Sequence, residues 1–403
     1  MTQTMRVLTL NIGSSSLKAA LYEISPAHDD PQLVFAAHAE RLGDARGHMS
    51  VQDTQGQTLF TTERGLSDHP TALQTLLDWL RQQPHEREFD LVGHRVVFGG
   101  QQYREPQLIT DDLVAALEDL SHFDPLHMPQ ALSVIAYMRR AYPRIVQVAC
   151  FDTAFHRSMP QEARLYGLPY TLADAGVIRY GFHGLSCESI LLQLRAIDQA
   201  AAEGRVIIAH LGAGASMTAA HNGVSLDTTM GFTPTGGLVM GTRSGDLDPE
   251  IVLYLLEERK LDAMALRRLF TTEAGMLGVS GVSGDMRDLL EQSATNPRAG
   301  AAVTLFCYQA RKYLGALAAA LGGVQTLVFT GGIGERAVEV RQRICAGLDF
   351  LGVRVDTARN AANAAIISVE GSPVMIRVMP SDEDRMIARH THRLMQAGKA
   401  GHT

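Results

Sequence analysis

The apolar positions of this chain fall into short strand-like runs interleaved with helical patterns. Strand-like runs cover residues 7–11, 17–23 and 91–97, and another over 145–151 ends in Asp152. Apolar residues three and four apart predict helices over 71–81 and 111–120. The pattern restarts at 206–210, an apolar run entering a glycine-rich turn at 211–216. A third strand–glycine unit covers 326–335 and leads into a helical stretch over 337–348. Residues 313–334 carry no charged side chain, but Gly322 and Gly323 divide them. They read as a buried helix, a turn and a buried strand rather than a membrane span.

Two of these turns look like one device used twice. Residues 8–16 read Leu-Thr-Leu-Asn-Ile-Gly-Ser-Ser-Ser, and residues 208–216 read Ile-Ala-His-Leu-Gly-Ala-Gly-Ala-Ser. A small polar turn between two apolar runs gathers backbone N–H groups and hydroxyls at one point, and in the first copy Lys18 adds a cation. That suits an anion such as a nucleotide phosphate. It also suits an ordinary hairpin, where Gly and Ser are common turn residues. The repetition points to two similar domains across a cleft. Gly332, Gly334 and Ala337 fit the degenerate Gly-x-Gly-x-x-Ala dinucleotide pattern. Their late position counts against a nicotinamide or flavin site, and a P-loop motif is missing.

Composition narrows the partners. A chain of 403 residues holds two domains at roughly 100–200 residues each. A net charge of −7 argues against nucleic acid or an anionic membrane surface as the main partner. Cys150, Cys187, Cys307 and Cys345 are widely spaced, which suits reduced thiols in a cytoplasmic protein rather than a zinc site or a disulfide framework. No secretion signal is evident at the start of the sequence.

Further polar clusters stand at strand ends or in glycine-rich loops. They hold Arg95 (93–97), Asp152 (151–156), His183 (179–184), Arg243 (241–249) and the acidic run 381–384. Singly, each reads more readily as a solvated or paired surface arginine, a core histidine or a helix N-terminus rich in acids. Together, arginines, a histidine, carboxylates and phosphate-type turns suit phosphoryl transfer, whose charge is spread over equatorial oxygens.

On these motifs the chain resembles the acetate/propionate kinase family, in family order and over essentially its whole length. The matching segments are 11–18, 93–100, 125–127, 151–160, 179–184, 210–216, 227–249, 278–288, 330–335 and 380–389. The resemblance implies an α/β fold of two duplicated actin-like ATPase domains (ribonuclease H-like) with an interdomain cleft. The first domain would comprise 1–151 with about 385–403, and the second 152–384. The family transfers the γ-phosphoryl of ATP to acetate, giving acetyl phosphate and ADP, reversibly and in line, with Mg²⁺ (or Mn²⁺ in its place). A homodimer is implied by the family alone.

The resemblance assigns catalytic roles to Asp152, Arg95, His183 and Arg243. Asn11 and Glu383 would lie at the metal. Nucleotide and phosphates would meet Asn11, Ser14, Ser16, Lys18, His210, Leu211, Gly212, Ala213, Gly214, Asp285, Met286, Arg287, Gly332, Ile333, Gly334 and Arg336. The acyl pocket would hold Arg95, Val97, Leu126, Phe182 and Pro234. A carboxylate acceptor is already ionised at neutral pH, so Asp152 is expected to orient rather than to remove a proton. The chain departs from the family at Ala213 and Arg336, each in place of a usual asparagine. Gly236 replaces a glutamate, Met128 an asparagine, Phe98 a histidine, Leu185 a threonine and Cys187 a histidine. Two other readings stay open: another phosphotransferase of the superfamily, for butyrate or a sugar, and a non-catalytic nucleotide sensor.

Overall fold

The structure is a computed structural model that describes residues 4–13, 15–25, 30–44, 47–63, 65–83, 88–125 and 127–400, with backbone alone at 398–400. Two compact units make up the chain, 1–154 with 382–403, and 155–381. These boundaries differ from the expected 151/152 and 384/385. The shift places Asp152 and Glu383 in the first unit, where Asp152 bonds Arg95 and Glu383 bonds Asn11.

The first unit is built on a sheet of β1 (Met5–Ile12), β2 (Ser16–Ile24), β3 (Gln32–Glu40), β4 (His48–Asp53), β5 (Thr58–Thr62), β6 (Leu91–Val96), β7 (Gln107–Leu108) and β8 (Val146–Phe151). Their order is β5-β4-β3-β2-β1-β6-β8-β7. The second unit holds β9 (Val206–Leu211), β10 (Ala215–His221), β11 (Val224–Thr228), β12 (Thr326–Thr330) and β13 (Met375–Val378), ordered β11-β10-β9-β12-β13. In the first unit β1 pairs antiparallel with β2 and parallel with β6, which runs parallel to β8; in the second, β9 pairs antiparallel with β10 and parallel with β12, which runs parallel to β13. The run β3-β2-β1-β6-β8 therefore repeats as β11-β10-β9-β12-β13, and each glycine turn joins the first two strands of its unit. The repeat read from two short turns is a repeat of the whole strand order.

Local chemistry accounts for the elements. Asp68 caps the helix His69–Arg81 by accepting from the Thr71 N–H at 2.8 Å, and Pro70 opens the first turn. Ala72, Leu73, Leu76, Leu77 and Leu80 then fall on one face and are buried. Trp79 from the same helix meets Phe35 of β3 edge-on at 5.4 Å and stacks on Phe60 of β5 at 6.1 Å. The central strands β1, β9 and β12 are apolar runs buried on both faces, as expected of sheet layers covered on two sides. The uncharged stretch 313–334 splits as expected, between the helix Pro297–Ala320 and β12. No described helix is long and apolar enough to cross a membrane.

The last helix, Glu383–Ala400, packs on β1, β6 and β8 of the first unit. Ala388 is buried with Val7, Ala20 and Leu91, and Cys150 lies 3.9 Å from the Ile387 carbonyl. All four cysteines are free and buried. Burial raises the thiol pKa of Cys307 to about 11 and of Cys345 to about 12. Gly93 of β6 is a contact glycine: a Cβ there would come within 2.5 Å of the Ile387 Cγ2 and also strike Thr391. Gly93→Ala is expected to destabilise the protein by about 1–3 kcal/mol through overpacking. Chemical denaturation checks this, and unchanged stability would show that the helix can move away.

Candidate active site

In the first unit, polar side chains meet at the C-terminal end of the parallel strands. Asn11, near the end of β1, is 6% exposed and donates from Nδ2 to Glu383 Oε2 at 3.0 Å. Arg95 of β6 donates from Nη1 to Asn11 Oδ1 at 3.2 Å and from Nη2 to Asp152 Oδ2 at 2.6 Å. The Asp152 side chain is fully buried and that of Arg95 is 14% exposed. Burial opposes the guanidinium charge, but Asp152, Glu383 and Asp384 outweigh it and hold its pKa above the ordinary arginine value. Lys18 of β2 pairs in register with Asn11, so both side chains project from one face of the sheet.

The turn joining β1 to β2 is fixed from behind. His69 donates from Nε2 to the Gly13 carbonyl at 2.8 Å, and the Gly13 N–H donates to Ser16 O at 2.9 Å. Ser16 is partly exposed. Ser14, expected at the phosphates, lies outside the described residues, as does Leu126 of the expected acyl pocket. Val97, directly after β6, is buried.

In the second unit the polar groups gather around the β9–β10 turn. His183 precedes the helix Gly184–Ile197 with φ 58°, a left-handed conformation that costs a non-glycine residue about 1–2 kcal/mol. Its Nδ1 lies 2.9 Å from Ser216 Oγ, and its ring stacks on His210 at 4.2 Å. His210 in turn bonds Ser186 at 2.7 Å. A Cβ on Gly214 would sit 3.5 Å from His183 Nε2 and 3.6 Å from Arg243 Nη1. The glycine turn, the histidine and the arginine thus converge on one point.

Arg243 is held in part by its own loop. Its Nη1 donates to the carbonyl of buried Pro234 at 3.1 Å. Thr242 donates to Thr271 O at 3.0 Å, and Asp246 accepts from the Gly237 N–H at 2.7 Å and bonds Tyr313. Phe182 is buried, and its carbonyl bonds His156. Arg179 donates to the carbonyls of Thr228, Thr229 and Met230, so within the 179–184 cluster it braces the fold.

Beside this point lies a cavity of about 540 Å³, lined among others by Gly212, Ala213, Asp285, Met286, Arg287, Gly332, Ile333 and Arg336. Those eight residues were expected at the nucleotide. Four glycine-bearing loops approach closely enough to build its floor. The Gly241 N–H donates to Ala213 O at 3.1 Å, and a Cβ on Gly284 would lie 2.7 Å from Gly241 O. A Cβ on Gly331 would lie 2.7 Å from Leu211 O. Asp285 caps the helix Met286–Gln292 and accepts from Arg287 at 3.3 Å.

Gly334, also expected at the nucleotide, is turned inward: it is buried, and its Cβ would face Phe329 and Ala209 at about the contact distance. Leu211 is fully buried and contributes its backbone to the turn. The exposed Ala213 methyl stands where an amide was expected, while its carbonyl remains fixed by Gly241. Residues absent from the sequence reading include His69, Ser186, Asp246 and Arg341. Arg341 is fully buried and donates to Gly334 O and Glu335 O, both at 2.9 Å, so it clamps the helix Gly331–Arg336. Asp246 falls inside the 241–249 cluster but was given no role there, and the other three lie outside the motifs.

Two copies of one strand order, each carrying its turn between the first two strands, define a duplicated actin-like ATPase fold. Comparison with known proteins narrows this class. The profile of the acetokinase family matches residues 6–389. The chain is 46% identical over 401 residues to an acetate kinase of Rhodopseudomonas palustris (strain TIE-1), covering 98% of this chain and 99% of that one. It is 43% identical over 399 residues to an acetate kinase of Methylocella silvestris, with 96% and 98% covered. The crystal structure of Porphyromonas gingivalis acetate kinase matches with a TM-score of 0.85 at 37% identity, covering 97% of this chain and 100% of that one. A propionate kinase from Francisella tularensis matches with a TM-score of 0.89 at 32% identity, covering 96% and 99%. The chain belongs to the acetokinase family.

Asp384 supplies a pH signature. Burial, with Glu383 and Asp382 nearby, raises its pKa from 3.8 to about 7, against the opposing effects of Lys18 and Thr9. Between those values the native state keeps a proton that the unfolded chain has lost, so this group's contribution to stability falls as pH rises from about 4 to about 7. Asp384→Asn removes that slope. The variant is expected to gain stability relative to the parent as pH rises through this window and to hold the gain above it. Urea denaturation at several pH values, with a chelator present, checks this; a difference independent of pH would refute it.

Proposed function

We propose that this chain transfers the γ-phosphoryl of ATP to acetate, forming acetyl phosphate and ADP, and catalyses the reverse reaction. The observation that carries the reading is the bonded set Asn11–Arg95–Asp152 with Glu383, intact in a chain that matches acetate kinases from end to end. The acceptor is a carboxylate and needs no base. The obstacle is bringing one anion up to another. In this reading Arg95 holds the acceptor carboxylate, and Asp152 keeps that guanidinium in place. Arg243 and His183 stabilise charge on the transferring phosphoryl beside the turn at Gly214. The cavity lined by Asp285, Ile333 and Arg336 takes the adenosine.

The oxygen donors of Asn11, Asp152 and Glu383 are hard ligands that suit Mg²⁺, with Mn²⁺ as a substitute. Among the described residues no three His, Cys, Asp or Glu side chains gather as a cation cage. Mg²⁺ in such sites is held by one or two side chains together with phosphate oxygens and water. Bound there, it would neutralise phosphate charge.

The test is a hydroxamate assay for acyl phosphate with ATP, Mg²⁺ and acetate, propionate or butyrate. Acetate is expected to give the highest kcat/KM, with propionate within the factor that one methylene allows, about 1–3 kcal/mol. Arg95→Ala and Arg243→Ala are each expected to lower kcat at least about a hundredfold. No acyl phosphate from any acid would sink the assignment, as would near-normal turnover in both variants. Nucleotide binding without turnover would favour the sensor reading.

We also propose a homodimer in the cytoplasm. The helix Pro249–Glu257 buries none of its residues, and Ile251, Leu253, Tyr254 and Leu256 are each 38–49% exposed. An uncovered apolar helix of this kind fits a self-complementary partner surface. Four free thiols suit a reducing compartment. Light scattering is expected to give twice the chain mass, and Leu253→Lys with Tyr254→Lys to give the single chain mass. A parent protein that is monomeric would refute this.

A further inference from the structure

We infer that the first unit carries a second ligand site, for a small organic anion, on the face of its sheet opposite Arg95 and Asp152. Side chains alternate across a strand. Gly93 and Arg95 of β6 share one face, that of the helix Glu383–Ala400, so His94 points to the other. Asp152, directly after β8, lies on the first face with Arg95, and Gln147 of β8 on the second. His94 and Gln147 meet there: His94 Nε2 is 2.8 Å from Gln147 Oε1, and both residues are buried.

A cavity of about 620 Å³ opens at this point, between the β7–β8 edge and the helix Met128–Ala141. It falls within the volume of small-molecule sites, about 300–1,000 Å³. Gln147 lines it and is 5% exposed. Its amide oxygen is taken by His94, and among the described residues its NH₂ has no protein partner. A nearly buried amide that presents its NH₂ on a cavity wall is a recognition group for an acceptor. Arg139 and Arg140, from the last turn of the helix, line the same cavity. Arg139 also pairs with the exposed carboxylate of Asp111, and Arg140 is exposed. Ile109, Ile145 and Pro143 complete an apolar wall.

This chemistry selects one class of ligand. Two guanidiniums and an amide NH₂ offer only donors, which suits a carboxylate or a similar oxyanion. The apolar wall takes a hydrocarbon body larger than a methyl group. None of these residues belongs to the sets assigned to acetate, phosphate or adenosine. Through Gln147 the ligand would touch His94, the chain neighbour of Arg95.

The test uses benzoate as probe, with benzyl alcohol as its neutral counterpart. The reaction site is first filled with ADP, Mg²⁺ and acetate, so that binding there does not contribute. Titration calorimetry or saturation-transfer NMR is expected to show benzoate binding to this filled protein, with benzyl alcohol weaker by about tenfold or more. Removing one charge-assisted partner by Arg140→Ala or Gln147→Ala is expected to weaken benzoate about tenfold. Arg140 lies at the surface, so its variant decides the question even where Gln147→Ala fails to fold. No binding to the filled protein would overturn the proposal, as would equal affinity in the parent and Arg140→Ala.

Discussion

A guanidinium taken out of water must have its charge balanced and its donors filled, and Arg95 sets this requirement for the whole first unit. Asp152 supplies the balancing charge from just beyond β8, and Asn11 supplies an acceptor from β1. Asn11 is itself bonded to Glu383 at the start of the last helix. Three strand ends and one helix start are therefore placed by a single buried cation. The second unit also uses backbone and amide oxygens to hold its arginines. Arg243 rests on a backbone carbonyl in a loop that Asp246 and Tyr313 pin, and Arg341 is filled by carbonyls and by Asn360 and Asn363.

The strands that carry the site were legible because they are buried on both faces and read as continuous apolar runs. β3 to β5 were not, since their half-exposed pattern mixes alanine, histidine and glutamine with few large apolar residues. The segment 331–336 was expected as a turn and is helical, because Arg341 holds its carbonyls and Glu335 accepts from the Gly331 N–H at 3.0 Å. Nearly every charged site residue could be named from a motif. Their connections could not: Arg95 and Asp152 are 57 residues apart, and Thr9 and Asp384 are 375 apart. Gly334 shows the limit of motif reading, since a glycine in a phosphate-type pattern here serves helix–strand packing.

The duplicated turns have divided their labour. In the first, side chains dominate: Asn11 and Lys18 flank it on one face, and His69 pins the backbone from behind. In the second, backbone dominates, with Gly212, Gly214 and Gly331 admitting close approach and Gly241 fixing Ala213. A methyl at Ala213 is tolerated there because the turn's shape depends on its carbonyl rather than on its side chain.

The two units also differ in how the chain delivers them. Residues 155–381 form a continuous segment, whereas the first unit is finished only by 382–403. During synthesis β1, β6 and β8 leave the ribosome long before the helix Glu383–Ala400 that covers them. Until then Gly93, Leu91 and Cys150 face an unfilled groove, and Asn11 lacks its carboxylate. The segment made second can close first, and the N-terminal sheet must wait, with one apolar face uncovered, for the last twenty or so residues. A prematurely terminated chain would thus lose the unit made first and keep the one made later.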